Sequence, residues 1–241
     1  MRQPLINMSN TIKKCLIGAK YIEEIAELSE LGIETISLPH NPFLDEEINS
    51  HADILSFNTH DGIFFLDYNI KGEIEPFLRG YKTFYCNDIK SPYPMDVALN
   101  VALLDNKLFC NKKAALPEII SWAESKNIEI INTNQGYTKC NMCVLNDKAV
   151  ITEDGGLSSL LKKYQTDVLK IDKGYIALSD KHYGFIGGAG VMVSDSLIYF
   201  SGDISSHPNF TEITEFLDKY NIKPVFNINR KLRDFGGFIE I

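Results

Sequence analysis

The segment Gly236-Gly-Phe-Ile-Glu-Ile241 at the end of the sequence is typical of an apolar strand, but no hairpin, helix or second strand follows it. The beginning of the sequence, in contrast, lacks the first strand of a unit. Lys13-Lys-Cys-Leu-Ile17 predicts a strand, residues 21–31 predict a helix, and Glu34-Thr-Ile-Ser-Leu38 predicts a second strand, but no hairpin partner precedes them. The helix is indicated by apolar residues at helical spacing, namely Ile22, Ile25, Leu28 and Leu31. The two fragments are therefore complementary parts of one unit.

Four complete units lie between these fragments, and each has the order strand, polar turn, returning strand, helix, short strand. Their starts are separated by roughly 43–50 residues, which is within the period range of repeat folds. The turns between their first two strands carry residues that favour hairpins. These turns are His60-Asp61-Gly62, Asp105-Asn106, Asn146-Asp147 and Ser194-Asp195.

A ring of units leaves two open sheet edges unless strands from both chain ends share the closing unit. We therefore predict one α/β domain over residues 1–241, a five-fold pseudo-symmetric propeller closed by both termini, with Ile239 pairing near Leu16. The predicted units are approximately 51–92, 93–136, 137–183, 184–233, and 234–241 joined with 1–50. The alternative is an open α/β sheet in which the regular spacing of the segments is coincidental.

The composition is that of an ordinary folded protein, with 44% hydrophobic and 23% charged residues. A net charge of -8 disfavours nucleic-acid and anionic-membrane partners, because their phosphates would be repelled. No stretch approaches the roughly 18 apolar residues of a membrane span. Residues 1–7 contain no long apolar segment, so we expect no secretory signal and a cytoplasmic protein. Five cysteines without framework spacing favour reduced thiols.

Three motifs accompany the repeats: Gly136-Tyr-Thr-Lys-Cys-Asn-Met-Cys143, Tyr183-Gly-Phe-Ile-Gly-Gly188, and Phe200-Ser-Gly-Asp203 followed by His207-Pro208. With the five units, they resemble the pentein fold, the α/β propeller of the guanidine-modifying enzymes and of a ribosomal anti-association factor. The motifs are similar to those of a smaller bacterial branch of that fold. The resemblance implies a central channel lined by the first strand of each unit, with catalysis, where present, inside it.

In pentein enzymes the resemblance implies a cysteine nucleophile near the C-terminus, a histidine on a first strand, and carboxylates that hold the guanidinium group. Paired carboxylates suit a planar cation, and a nucleophilic thiol needs a lowered pKa and a proton acceptor. The closing strand here contains no cysteine, and Tyr137 stands where the histidine-bearing segment of dimethylarginine dimethylaminohydrolases has its histidine. The sequence therefore argues against deiminase or amidinotransferase activity. If the protein is an enzyme, a hydrolase or transferase of the guanidine-modifying class is expected.

Polar residues cluster at the start of the predicted first strands, where the ring would bring them together. We expect Asp53, Asp96 and Asp234 to supply negative charge, and Asn100 and Asn141 to orient a ligand. Cys140, beside Lys139, is the candidate nucleophile. The interpretation that competes with a binding site is that these side chains cap strands or bind channel water. The full set of candidate ligand-binding residues is His51, Asp53, Asp96, Asn100, Tyr137, Lys139, Asn141 and Asp234.

Two motifs suggest cofactors but fail on closer inspection. Cys140 and Cys143 form a Cys-x-x-Cys pair, yet zinc needs a second pair and none has suitable spacing. Residues three apart on a strand would also point to opposite faces. Gly184-Phe-Ile-Gly-Gly-Ala-Gly190 lies inside a predicted strand with no helix directly after it, so a dinucleotide site is not expected, and its glycines indicate close approach at the channel. We therefore predict neither a metal nor a cofactor.

Two functions remain open. The first is binding of a small polar ligand, including a cation of amine or guanidino type, in the central channel, with the reaction undetermined. The second is a non-catalytic module that binds a protein or ribosomal surface, as the anti-association factor does. A polar channel would favour the first and a large flat apolar patch the second, since fold alone does not decide. The sequence makes no prediction about the oligomeric state.

Overall fold

Each unit folds as an antiparallel hairpin whose second strand is joined through a helical segment to a parallel third strand. The computed structural model describes residues 11–241. In that range fifteen strands form five three-stranded sheets. The strands are β1 Lys14–Gly18, β2 Glu34–Leu38, β3 Ser56–Asn58, β4 Ile63–Asp67, β5 Lys82–Cys86, β6 Ala102–Leu104, β7 Lys107–Cys110, β8 Glu129–Asn132, β9 Cys143–Asn146, β10 Ala149–Thr152, β11 Asp167–Lys170, β12 Gly190–Ser194, β13 Leu197–Phe200, β14 Lys223–Phe226 and β15 Ile239–Glu240.

The helical segments are of two kinds. Most connect a second strand to a third strand, whereas α2 and α6 are single turns that precede the first strands of their units. The α-helices of residues 11–241 are α1 Ile22–Glu30, α2 Ala52–Leu55, α3 Lys71–Ile74, α4 Pro117–Ser125, α5 Gly155–Lys163, α6 Ile186–Ala189 and α7 Phe210–Lys219. Short 3-10 turns are found at Tyr68–Ile70, Glu75–Phe77 and Ile204–Ser206.

The closing sheet contains strands from both ends of the chain, in the order β15-β1-β2. β15 pairs antiparallel with β1 in the register Cys15↔Glu240 and Leu16↔Ile239, and β1 pairs parallel with β2. The predicted pairing of Ile239 with Leu16 is therefore confirmed. β15 supplies hydrogen-bond partners for the edge of β1 that does not pair with β2.

Hydrophobic contacts join each sheet to the next and the fifth back to the first. Side chains from neighbouring sheets share one buried cluster at each junction, so the sheets form a closed cycle of contacts. Representative pairs within shared clusters are Leu16 and Phe57, Leu66 and Leu108, Phe109 and Val150, Ile151 and Phe200, and Tyr199 and Ile17.

Local sequence explains the hairpins and the third strands. Asp105 and Asn106 both have positive φ, 46° and 56°, as the two central residues of a hairpin turn of the mirror-image type require. The third strands start beyond short turns, and β2 has the bounds predicted from Glu34-Thr-Ile-Ser-Leu38. The helix α4 begins with Pro117, whose fixed φ suits the first helical turn.

Two expectations about the elements are wrong. The predicted first strands begin too early: Ala52–Leu55 form a helical turn, and the first strands of the next two units start only at Ala102 and Cys143. The preceding polar residues hydrogen-bond to side chains and loops instead of to a sheet. Ile22 is 70% exposed and does not belong to the buried face of α1, which instead buries Glu24 in an ion pair with Arg233.

Two further observations bear on the expectations about the chain. Residues 1–7, interpreted as lacking a secretory signal, lie outside the described residues, as does the rest of the predicted domain before residue 11. Among residues 11–241, no helix is long and apolar enough to cross a membrane.

Removal of residues 236–241 should abolish cooperative folding. The deletion removes β15 and the buried ring of Phe238, and it leaves the backbone of β1 as an unpaired edge that can template aggregation. We expect loss of a cooperative melting transition by circular dichroism and aggregation by size-exclusion chromatography. Glu240→Ala, which keeps the backbone pairing, is the matched control and should melt like the wild type. Unchanged melting of the truncated chain would refute the shared sheet.

Candidate functional site

The first strands of all five sheets surround a central cavity of about 220 Å³. Its wall includes residues of β3, β6, β9, β12 and β15, and its polar lining includes Asp53 and Lys139. The volume corresponds to about seven water molecules at roughly 30 Å³ each. The cavity is thus large enough for a small organic molecule.

Asn100 fixes the polar part of the channel by joining three units. It lies in a tight turn before β6, where its own N–H donates to the carbonyl of Val97. Its side-chain oxygen accepts the backbone N–H groups of Lys139 and Cys140, at 2.8 and 3.3 Å. Its amide nitrogen lies 3.0 Å from the carbonyl oxygen of Asp53 and 3.1 Å from the sulfur of Cys140. All the bonding groups of this side chain are therefore used to position its neighbours.

Cys140 is buried and faces a carboxylate. Its thiol donates to Oδ2 of Asp53 at 2.9 Å, and the residue is 2% exposed. Burial, followed by the charges of Asp53 and Asp234, raises the pKa of the Cys140 thiol well above its usual value. The thiol therefore stays protonated at neutral pH, as the excess of carboxylates over the single Lys139 predicts.

The buried carboxylate of Asp53 is only partly hydrogen-bonded. Its Oδ1 is buried and has no hydrogen-bond partner among the described residues. Burial, reinforced by the charge of Asp234, raises the pKa of Asp53 to about 7. Lys139 favours the ionised form of Asp53, but its ammonium forms no hydrogen bond or ion pair with any residue in the range 11–241.

Asp234 and His51 form a second buried pair beside Asp53. The Asp234 carboxylate accepts the N–H groups of Phe185 and Gly236, both at 2.9 Å, and burial still raises its pKa to about 6. Nδ1 of His51 is 3.8 Å from Oδ1 of Asp234, too far for a hydrogen bond. Burial lowers the pKa of His51 to about 3, so the ring is neutral, and neither ring nitrogen has a partner among the described residues.

Close packing at Asp234 requires glycine at two positions. A Cβ atom on Gly188 would lie 2.0 Å from Oδ1 of Asp234. Gly236 has a φ of +72°, and a Cβ atom there would lie 2.4 Å from Cβ of His51. The close approach predicted for the 184–190 glycines is found at Gly188, but the predicted strand is wrong over residues 186–189, which form the helical turn α6.

Asp96 and Tyr137 form a separate pair outside this cluster. The Tyr137 hydroxyl donates to Oδ2 of Asp96 at 2.5 Å, while Oδ1 of Asp96 is buried and unpartnered within the described chain. Burial raises the pKa of Asp96, partly offset by the Tyr137 hydrogen bond. The Tyr137 ring stacks obliquely between Tyr93 and Phe185, at centroid distances of 5.7 and 6.1 Å.

The structure thus divides the predicted site residues into groups. Asp53, Asn100 and Cys140 are in direct contact, Asp234 and His51 adjoin them, and Lys139 lines the same cavity. Asn141 does not match Asn100 in role, since its side chain donates to the Tyr137 carbonyl at 2.9 Å and lines a different cleft. Because Cys140 precedes β9, the opposite-face argument about Cys140 and Cys143 does not apply.

Sequence reasoning missed Glu153. Its Oε2 accepts the N–H of Ile186 at 2.9 Å, whereas its Oε1 is buried without a partner among the described residues. Burial, with a contribution from Asp234, raises the pKa of Glu153 to about 7. The only sequence signal is its place between β10 and the helix cap Asp154, where an exposed glutamate is equally typical. Across residues 11–241, no group of three or more His, Cys, Asp or Glu side chains is arranged to hold a metal ion.

The sequence matches one family model, that of the family of unknown function DUF6873, over residues 16–239. No curated protein matches it.

Solved structures share the fold at low sequence identity. A mutant dimethylarginine dimethylaminohydrolase from Pseudomonas aeruginosa, complexed with citrulline, has a TM-score of 0.56 at 10% identity, covering 95% of this chain and 96% of that chain. An agmatine deiminase from C. jejuni has a TM-score of 0.56 at 11% identity, covering 92% and 88%. An inosamine-phosphate amidinotransferase from Streptomyces griseus has a TM-score of 0.56 at 11% identity, covering 99% and 97%. All three are pentein-fold guanidine-modifying enzymes, so the pentein fold predicted from the sequence is confirmed.

Replacement of Asp53 by Asn should make the protein less sensitive to rising pH. The pKa of Asp53 is about 7 in the folded chain and roughly 3.9 when unfolded, so the folded chain binds more protons and loses stability as the pH rises through about 7. Asp53→Asn should therefore melt relatively higher, by a few degrees against wild type, at about pH 8.5 than at about pH 6.5. His51, whose pKa is lowered, contributes the opposite dependence only below roughly pH 6.5.

Asp147→Asn makes the same charge change on an exposed hairpin turn and serves as the control. Its melting temperature should differ from that of the wild type by the same amount at both pH values. A wild-type minus Asp53→Asn difference that does not change with pH would show that Asp53 is not a raised-pKa acid.

Proposed function

The chain belongs to the family of unknown function DUF6873, and we propose that it binds a small polar cation, of the amine or guanidino type, in its central channel. The observation that carries this proposal is the unpartnered Oδ1 of Asp53 beside a second buried carboxylate, Asp234. Buried charges are normally paired, because desolvation without a partner is costly. A bound cation with N–H donors would supply both the charge and the hydrogen bond.

The neighbouring side chains suit a planar cation. Asp53 and Asp234 offer two carboxylates, and the ring nitrogens of His51 add a neutral acceptor and donor. Guanidinium groups favour such paired acceptors. The similar structures include a citrulline complex and enzymes named for dimethylarginine and agmatine, and these names favour a guanidino ligand here as well.

We assign the remaining candidate residues to supporting roles. Asn100 holds Asp53 and Cys140 in place, and Lys139 selects against ligands whose positive charge extends to that side of the cavity. Asp96, Tyr137 and Asn141 lie outside the channel lining, beside Phe185, and we assign them a structural role there. The arrangement is five units related by pseudo-five-fold symmetry within one domain over residues 1–241, and the five free thiols support a cytoplasmic location.

Catalysis with Cys140 as nucleophile is a second candidate, favoured by the position of its sulfur between Asp53 and Asn100. The thiol donates a hydrogen bond to Asp53 and its pKa is raised, so it is a poor nucleophile. A cation bound to Asp53 would pair with its carboxylate, which would then accept the thiol proton less readily. The positive charge of the same cation would also stabilise a Cys140 thiolate. Reactivity of Cys140 would therefore depend on the ligand.

A protein- or ribosome-binding module is less well supported. Several of the large exposed apolar side chains come from separate elements, as Ile22, Phe77 and Ile228 illustrate, and Tyr175 and Tyr183 line a cleft instead of a flat face. Scattered single side chains of this kind are normal on soluble proteins. The central cavity, in contrast, holds Asp53 and Lys139 within a mainly apolar wall and has no role in docking a flat surface.

Methylguanidinium should bind to the wild-type protein, and urea, its neutral planar analogue, should bind at least about tenfold more weakly, because only the cation pairs with Asp53. Binding should strengthen between about pH 6 and pH 8, since Asp53 must lose its proton to bind the cation. Isothermal titration calorimetry in two buffers of different ionisation enthalpy measures both the affinity and the proton release.

Asp53→Asn should abolish this binding, whereas Asp147→Asn should leave it intact. Equal affinity for urea and methylguanidinium, or undiminished binding by Asp53→Asn, would contradict the channel site.

Cys140 should react with iodoacetamide no faster than free cysteine at neutral pH, because burial and the facing carboxylates keep it protonated. Mass spectrometry of the modified peptide follows the rate, and buried Cys143 is the internal comparison. Rapid alkylation of Cys140 that Lys139→Ala eliminates would instead show an activated thiolate.

A further inference from the structure

A second cavity, of about 660 Å³, lies between the loop that precedes β9 and the loop that joins β11 to α6. It shares no lining residue with the central channel. Glu153 and Phe185 line it at its inner side, and Tyr175, Tyr183 and Lys173 line it where it meets solvent. This cleft is independent of the channel function proposed above.

Glu153 places in the cleft a buried carboxylate oxygen that lacks a hydrogen-bond donor among the described residues. The residue is 7% exposed, one carboxylate oxygen accepts the Ile186 N–H at 2.9 Å, and the other has no partner in the described chain. A buried carboxylate oxygen without a donor is costly, so a ligand that brings an N–H group and a positive charge gains from both.

Aromatic rings supply the walls. Tyr183 is 70% exposed and Tyr175 is 52% exposed, so large faces of both rings are available beside the carboxylate. A Cβ atom on Gly174 would lie 3.8 Å from the Tyr183 ring, so the ring stands beside this part of the cleft lining. Aromatic faces attract organic cations and stack on flat apolar groups.

Charge limits the class of ligand. Asp154 also lines the cleft, but its carboxylate already accepts the Leu157 N–H as the cap of α5. Lys173 is the one cationic side chain among the described residues that line the cleft, and it would repel a second positive charge on the ligand. A metal ion is not favoured, since no suitable group of ligating side chains is present in residues 11–241.

We propose that this cleft binds an organic monocation, a primary ammonium or guanidinium group on an aromatic or apolar body, with Glu153 as its counter-ion. The cationic group donates to the free oxygen of Glu153, and the body of the ligand packs against Phe185, Tyr175 and Tyr183. The site selects against quaternary ammonium compounds, which carry no N–H, and against polyamines, whose second charge meets Lys173.

Isothermal titration calorimetry with benzylammonium, at about pH 8 where Glu153 is ionised, tests the proposal. Benzyl alcohol and benzyltrimethylammonium are the neutral and the N–H-free comparisons, and both should bind at least about tenfold more weakly. Glu153→Gln should weaken benzylammonium binding by at least about tenfold, whereas Glu215→Gln, the same change on an exposed face of α7, should not alter it.

Asp53→Asn separates the two sites. Because the channel is proposed to bind amine cations as well, the cleft is measured in the Asp53→Asn variant, which should keep one benzylammonium site that Glu153→Gln then weakens. Loss of all binding in Asp53→Asn, together with full binding by Glu153→Gln, would place the ligand in the channel and overturn the cleft. Failure of the wild type to bind benzylammonium, or equal binding of the two comparison compounds, would also overturn it. If Glu153→Gln does not fold, exposed Tyr183→Ala decides: several-fold weaker binding supports the cleft, and unchanged binding contradicts it.

Discussion

The backbone of Cys15 and Leu16 pairs with that of Glu240 and Ile239, and this short antiparallel contact closes the ring of five sheets. Every other sheet is built from consecutive segments, so this sheet alone joins distant parts of the chain. Closure also completes the channel, because β15 supplies part of its wall and Asp234 and Gly236 lie just before it. The fold and the candidate site therefore depend on the same pairing.

The closed channel has an energetic cost that is concentrated in its acids. Asp53 and Asp234 are buried, as is Glu153 in the neighbouring cleft, and burial raises the pKa of each of them. Backbone N–H groups donate hydrogen bonds to the carboxylates of Asp234 and Glu153. The carboxylate of Asp53 instead accepts a hydrogen bond from the Cys140 thiol, and Lys139 lies nearby without touching it. Natural proteins accept such local instability where it serves binding.

Much of the fold could be predicted from the sequence because hairpin turns and helical periodicity are local signals. Asp105-Asn106 and the helix beginning at Pro117 illustrate this. The first strands could not be delimited, since the polar residues before them are held by contacts from other units, such as Asn100 to Cys140. Contacts between units do not change the local hydrophobic periodicity from which strands are predicted.

The candidate site was predictable to the same extent. Repeat spacing indicated that Asp53, Cys140 and Asp234 would converge, but it could not separate Asn100 from Asn141, whose surroundings differ only in three dimensions. Glu153 was missed because a glutamate at the end of a hairpin is usually solvated, and only the Ile186 amide shows that this one is not.

A sheet that needs both chain ends also sets an order of events during synthesis. The partner of β1 lies more than 200 residues further along the chain. At about 5–20 residues per second, β1 waits on the order of 10–45 s before its second neighbour exists. During that interval the hydrogen-bonding edge of Cys15 and Leu16 is open to other nascent chains. The chain therefore remains an incomplete ring until β15 has been synthesised.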